Sequence, residues 1–183
     1  MDGEVVLAKG SCDRIGIEGR IVYKAGDYVD KHDADFPTHT QAFQELCRLL
    51  TQGAHPVLKD LGEVAAIGQR VVHGGEFFKE AVLLSEPVLK DIERFSNLAP
   101  LHNPPMLKAV ESCTAIFPKG IPQAAVFDTA FHQTLLPTAY TYPIPYDYYK
   151  KYGIRRYGFH GTSHRYVSIK LAELIGRPLA DLK

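Results

Sequence analysis

Net charge is missing from this sequence. Lys plus Arg and Asp plus Glu each total 21 among 183 residues. No run of like charge interrupts the chain, which argues against the basic arm of a nucleic-acid binder and the charged face of a membrane-surface helix. Cysteine is sparse: Cys12, Cys47 and Cys113 have no C-x-x-C spacing. That excludes a zinc ribbon or disulfide framework and leaves free, mostly buried thiols in a reducing compartment. No apolar run approaches the roughly 20 residues that cross a bilayer, and no charged n-region with an apolar h-region opens the chain. A cytoplasmic protein with a small-molecule partner, neither nucleic acid nor membrane, is the expectation. What is plentiful is apolar: 45% hydrophobic residues can build a sizeable core in a chain of one large domain or somewhat more.

Residues Glu4 to Lys24 alternate short apolar runs with Gly and charged breaks, the pattern of a strand meander. Beyond Pro37, Thr38 and Gln41 form a T-x-x-Q capping box ahead of Phe43, Leu46, Cys47 and Leu50 at helical spacing, with Gly53 as the stop. "VAAIGQRVV", Val64 to Val72, predicts a buried strand running into the glycine-hinged loop "HGGEFF". A helix capped by Ser85 carries Val88, Leu89, Ile92 and Phe95. Another, capped by Asn103 with Pro104 in its first turn, extends through Phe117. "PQAAVFD", Pro122 to Asp128, reads as a buried α/β strand whose polar carboxyl end is where ligands gather. "LLPTAYTYPIPYDYYKKYG" fits neither helix nor strand and reads as an ordered connection, so a boundary is placed near Phe131. The last element is a helix capped by Thr162 or Ser163, with Val167, Leu171, Leu174 and Ile175 on one face and Gly176 and Pro178 at its end.

Candidate chemistry starts at "RRYGFHGTSHRY", Arg155 to Tyr166. With the helix starting after Gly161, His160 precedes it and His164 falls in its first turn, so the two cannot share a face as H-E-x-x-H zinc ligands do. Exposed amides and the positive dipole end favour phosphate instead, while a satisfied structural histidine is the plain alternative for either ring. Arg70, inside an apolar strand, demands an anion: a protein carboxylate or a substrate serves equally. Asp128 at its strand end is either a cap or a carboxylate that orients a cation or substrate. His102, centred in the proline-flanked "LAPLHNPP", is read most simply as part of a helix N-terminus.

"QRVVHGGE", "LAPLHNPP", "VFDTAFHQ" and "PIPYDYYKKYGIRRYGFHGTSHRYVS", in this order, resemble the acetokinase family, which holds acetate, propionate and butyrate kinases. The resemblance implies an α/β fold of the sugar-kinase, Hsp70 and actin (ribonuclease H-like) type, with a mixed sheet and flanking helices. It assigns residues 1–131 to most of the first domain and 132–183 to the connection and start of the second. It implies reversible transfer of the ATP γ-phosphoryl group to acetate, giving acetyl phosphate and ADP, with Mg²⁺ and with a homodimer as the full-length enzyme. By the same resemblance Arg70 binds substrate carboxylate and phosphoryl oxygens; Val72, Leu101 and Phe159 form the pocket for the acetate methyl. Asp128 matches an essential aspartate and His160 a transition-state histidine, with His102 and His164 in supporting places.

The chain departs from the family pattern at Gln69, where histidine is frequent. It also lacks the N-x-G-S-S-S-x-K type phosphate loop and stops before the N-A-H-x-G-N-G type loop, the adenosine pocket and the late metal-binding glutamate. The expectation is therefore an amino-terminal portion, inactive alone, with most of the ATP site and any confident metal ligand outside it. The rival readings are a propionate or butyrate kinase on the same scaffold and a non-catalytic acyl-binding or assembly module.

Overall fold

The opening meander forms where the sequence alternates. In the computed structural model, which describes residues 5–182, β1 (Lys9–Asp13), β2 (Arg20–Ala25) and β3 (Tyr28–Asp33) pair antiparallel in that order. Glu4 of the expected stretch lies outside the described residues. Gly26 at φ 57° makes the tight β2–β3 turn, and the pleat sends Ile21 and Tyr23 into a core with Phe36. α1 (His39–Gln52) covers that core with Ala42 and Leu49, and its capping box closes reciprocally between Thr38 and Gln41. Gly53 ends the helix, but with extended backbone (φ −69°, ψ −177°) rather than a left-handed cap.

The chain divides into two compact units, one built from the chain up to Ile67 plus Lys108–Ile121, the other from Gly68–Leu107 plus the chain from Pro122 onward. In the second, β4 (Ile67–Val71), β6 (Gln123–Phe127) and the short β5 (Val82–Leu83) form a mixed sheet in the order β4-β6-β5. β5 runs antiparallel to β6. The Asp128 amide donates to the Val71 carbonyl at 3.0 Å, which brings the carboxyl ends of β4 and β6 together. Val71, Ala125 and Phe127 from the sheet pack with Phe78 and with Ile92 of α2 (Glu86–Arg94). Phe78 and Phe127 stack with centroids 4.3 Å apart; burying side chains of this size contributes about 1.5–3 kcal/mol each.

Several sequence expectations shift. β4 is shorter than Val64–Val72 and half open, with Gly68 and Arg70 exposed, because it is an edge strand of its sheet. Ser85 precedes α2 without a side-chain cap bond. Asn103 is the first residue of α3 (Asn103–Ile116), not its cap, and its side chain bonds elsewhere. The Tyr- and Pro-rich connection contains α4 (Pro137–Tyr140) and α5 (Tyr146–Tyr152), each started by the fixed φ of a proline at or just before its first residue. α6 (Gly161–Ile175) starts ahead of Thr162, with His160 as its N-cap, and ends at the left-handed Gly176. Its expected apolar face, Val167, Leu171, Leu174 and Ile175, is exposed in this structure.

Candidate functional site

The ends of β4 and β6 deliver the central pair. Arg70 Nε donates to Asp128 Oδ1 at 3.0 Å and Nη2 donates to Oδ2 at 2.8 Å, a two-pronged charge-assisted contact. The burial is lopsided: the Asp128 side chain is 2% exposed and that of Arg70 60%. Asp128's hydrogen bonds and charge push the Arg70 guanidinium further above its already high ordinary value. The sequence left open whether Arg70 meets a protein carboxylate or a substrate; the protein carboxylate is there, and much of the guanidinium still faces solvent.

His160 joins this pair through an unusual backbone. Its φ of 55° and ψ of 28° are left-handed, a region that costs ordinary side chains about 1–3 kcal/mol and concentrates at functional sites. Gly161 holds that strained residue in place. The Gly161 amide donates to the Asp128 carbonyl at 2.9 Å, and a Cβ on Gly161 would sit 2.5 Å from that oxygen, so only glycine allows the approach. Arg70 Nη2 lies 3.3 Å from His160 Nδ1. Because a guanidinium has no acceptor, Nδ1 is the acceptor of that contact, which assigns the ring proton to Nε2 and leaves that N–H available to a further acceptor.

These groups border a cavity of about 700 Å³. Every expected pocket residue lines it: Arg70, Val72, Leu101, Asp128, Phe159 and His160, with His102 beside them. Ala99 and Pro100 of the "LAPLHNPP" motif and Met106 also line it, although none of the three was given a place in the pocket from sequence. The mouth is open, with Leu101 82% and Phe159 42% exposed. His164 is the exception. Its ring lies 5.7 Å from that of His132, away from the cavity lining, so His160 and His164 do not converge as a metal clip. Burial, with His164 next to it, pushes His132 below its ordinary value. Arg155 of the same motif is buried, pairs with Glu76 at 2.9 Å and sits 3.5 Å over the Tyr140 ring, so it anchors the approach to Phe159.

The cavity has a buried backing. His73 and Asn103, 2% and 0% exposed, lie behind the lining residues. Burial pushes the His73 imidazole down to about 4, and its Nδ1 accepts the Gly75 amide at 3.1 Å, which is the neutral form's role. The Thr129 hydroxyl accepts the Gly74 amide at 3.1 Å and Gln133 donates to the Gly75 carbonyl at 3.0 Å, fixing the glycine loop against the end of β6.

An apolar cavity with a guanidinium and an imidazole N–H at one end suits a small carboxylate that meets a second anion. Comparison with known proteins gives the same direction. The model of the acetokinase family matches residues 1–183. The acetate kinase of Thermotoga maritima is 54% identical over 184 residues, covering 100% of this chain and 45% of that protein. The acetate kinase of Dictyoglomus turgidum is 51% identical over 185 residues, with 100% and 45% covered. The crystal structure of Porphyromonas gingivalis acetate kinase superposes with a TM-score of 0.90 at 39% identity, over 98% of this chain and 45% of that one. A propionate kinase from Francisella tularensis superposes at 0.84 and 38%, over 93% of this chain and 43% of its own. The chain thus spans about half the length of the curated relatives it matches. Its architecture is the α/β class of actin, Hsp70 and the sugar kinases, with a mixed sheet and flanking helices. With the family model matching from end to end, the chain belongs to the acetokinase family.

Proposed function

We propose that this chain carries the carboxylate-binding side of an acetate kinase site, which transfers the γ-phosphoryl group of ATP to acetate and runs in reverse from acetyl phosphate and ADP. The observation that carries the reading is the Arg70–Asp128–His160 cluster at the mouth of an apolar-walled cavity. In the same reading residues 1–131 furnish most of the first domain and residues 132–183 open the second. The setting is cytoplasmic and the full-length enzyme a homodimer. Among the described residues, no helix is long and apolar enough to cross a membrane.

The chemistry comes from charge. A carboxylic acid with a pKa of about 4–5 is ionised at neutral pH, so the acceptor oxygen needs no general base. That oxygen forms its bond to phosphorus in line as the bond to the ADP oxygen breaks, and ADP leaves with the electron pair. Arg70 holds the nucleophile, and the His160 Nε2–H donates to the equatorial oxygens as their charge is redistributed. Asp128, spoken for by Arg70, orients that guanidinium rather than removing a proton. Val72, Leu101 and Phe159 line the side that takes the methyl group, with His102 at the same wall, and His164 supports the helix start through its amide bond to the His160 carbonyl.

Mg²⁺ is bound in such sites through one or two carboxylates, phosphates and water. Asp128 has lone pairs to spare beyond its Arg70 bonds, so it can serve as the single carboxylate; when bound, the ion neutralises phosphate charge. Among the described residues no group of His, Cys, Asp and Glu forms a metal cage without help.

Calorimetry with acetate, acetyl phosphate and ATP tests the reading. Acetate and acetyl phosphate are expected to bind this chain and to lose binding in Arg70→Ala; equal binding by that variant would sink the assignment.

A further inference from the structure

We infer that the buried His73–Asn103 pair positions the walls of the carboxylate cavity and so sets the acyl length it accepts. This deepens the acetate kinase reading and rests on it. The three apolar walls come from three separate segments: Val72 from the exit of β4, Leu101 from the turn before α3, and Phe159 from the loop before α6. Something must hold these segments in register, because their backbones arrive from different directions.

His73 and Asn103 make the connections. His73 comes directly after Val72, and its ring meets Phe159 edge-on with centroids 5.7 Å apart and Tyr157 at 4.4 Å. The His73 amide donates to Asn103 Oδ1 at 3.2 Å, and Asn103 Nδ2 donates back to the His73 carbonyl at 3.0 Å. The same Nδ2 reaches the Ile92 carbonyl at 3.2 Å, tying α2 into the cluster. Asn103 stands two positions after Leu101, within the turn in which the His102 and Asn103 amides both donate to the Ala99 carbonyl. One side chain therefore fixes the β4 exit against the Leu101 turn, and the other fixes that exit against Phe159.

The ring is itself locked, since His73 Nδ1 accepts the Gly75 amide at 3.1 Å. A buried polar network satisfied in this way is directional where an apolar filler is not. Neither residue lines the cavity, so both act through the walls. An extra methylene changes acceptance by about 10–200-fold in a well-shaped pocket, which makes acyl length a sensitive gauge of wall position.

The test titrates the complete 183-residue chain with acetate, propionate and butyrate, alongside Asn103→Ala and His73→Phe. Both variants are expected to shift the propionate-to-acetate Kd ratio toward the longer acid by about tenfold. The methyl resonances of Val72 and Leu101 should move while those of Ile21 and Leu49 stay. Folded variants with an unchanged ratio overturn the positioning role. Where Asn103→Ala fails to fold, His73→Phe, which keeps an aromatic ring at this place and removes both ring nitrogens, decides alone. If the unsubstituted chain binds none of the three acids, the reading of the site falls and the selectivity role with it. Binding with an unaltered ratio in the variants removes only the latter.

Discussion

Arg70 and Asp128, 58 positions apart in sequence, meet in a two-pronged contact in which the carboxylate is buried and much of the guanidinium is not. The pair is asymmetric by construction. Asp128 sits at the end of a strand flanked by two neighbours, giving its amide to Val71 and its carbonyl to Gly161, so its side chain cannot retreat to water. Arg70 rises from the open face of an edge strand and keeps part of its hydrogen-bonding capacity for a ligand.

That asymmetry predicts unequal costs. Arg70→Met leaves a buried carboxylate short of its main partner and should destabilise by about 1–3 kcal/mol, the penalty for an unsatisfied charged acceptor. Asp128→Asn leaves a guanidinium that water can reach and should cost less. Urea unfolding of both variants decides; equal or reversed costs would mean that Arg70 is not what holds the Asp128 charge.

Turnover isolates the catalytic roles. A chimera in which this chain replaces its counterpart in the Thermotoga maritima acetate kinase should form acetyl phosphate in a hydroxamate assay, while the chain alone should not. In the chimera, His160→Ala should lower kcat by about 10²–10³-fold, as expected for losing one preorganised donor to a transition state. A near-normal kcat would remove His160 from the phosphoryl contact.

Acid should weaken the fold through His73. Its ordinary value is 6.5, and burial lowers it to about 4 in the folded chain. Between those values the unfolded state holds more protons, so stability is complete above pH 6.5 and declines as pH falls toward 4. The full difference is about 3 kcal/mol, and His132, lowered by burial and by His164, acts in the same sense. Unfolding free energies measured across this window should slope less in His73→Phe; an unchanged slope would locate the linkage elsewhere.

Much of the fold is legible where the signal is local. The Thr38–Gln41 capping box needs only neighbours on one helix, and Gly176 ends α6 through its own φ of 64°. β6 is marked by its apolar run and by the polar exit that begins at Asp128. Long-range partners are hidden. Asn103 before a proline is indistinguishable in sequence from an ordinary cap, yet its amide is used by His73 and Ile92. α6 is capped two or three positions ahead of the expected place. Thr162 and Ser163 are stronger caps than His160, but the bond from Gly161 to Asp128 overrides that local preference. His73 lies in the quoted motif "QRVVHGGE", but nothing there sets it apart, because its contacts are with rings contributed from Phe95, Tyr157 and Phe159.

The α6 entrance allows placement and stability to be separated. His160 occupies a left-handed conformation that glycine adopts freely, so His160→Gly relieves about 1–2 kcal/mol of backbone cost and loses about 0.5–1 kcal/mol to added chain freedom. Thermal unfolding should show stability unchanged or slightly raised. Gly161→Ala should do the reverse, because its new methyl would lie 2.5 Å from the Asp128 carbonyl oxygen and 2.8 Å from Phe131 Cβ. The backbone must then open the bond that seats α6 against β6, lowering the melting temperature and weakening acetate binding although no side chain of the cavity has changed. If His160→Gly proved markedly destabilising, the imidazole would be a structural prop; if it left acetate and acetyl phosphate binding intact as well, it would have no place at the phosphoryl end of the cavity.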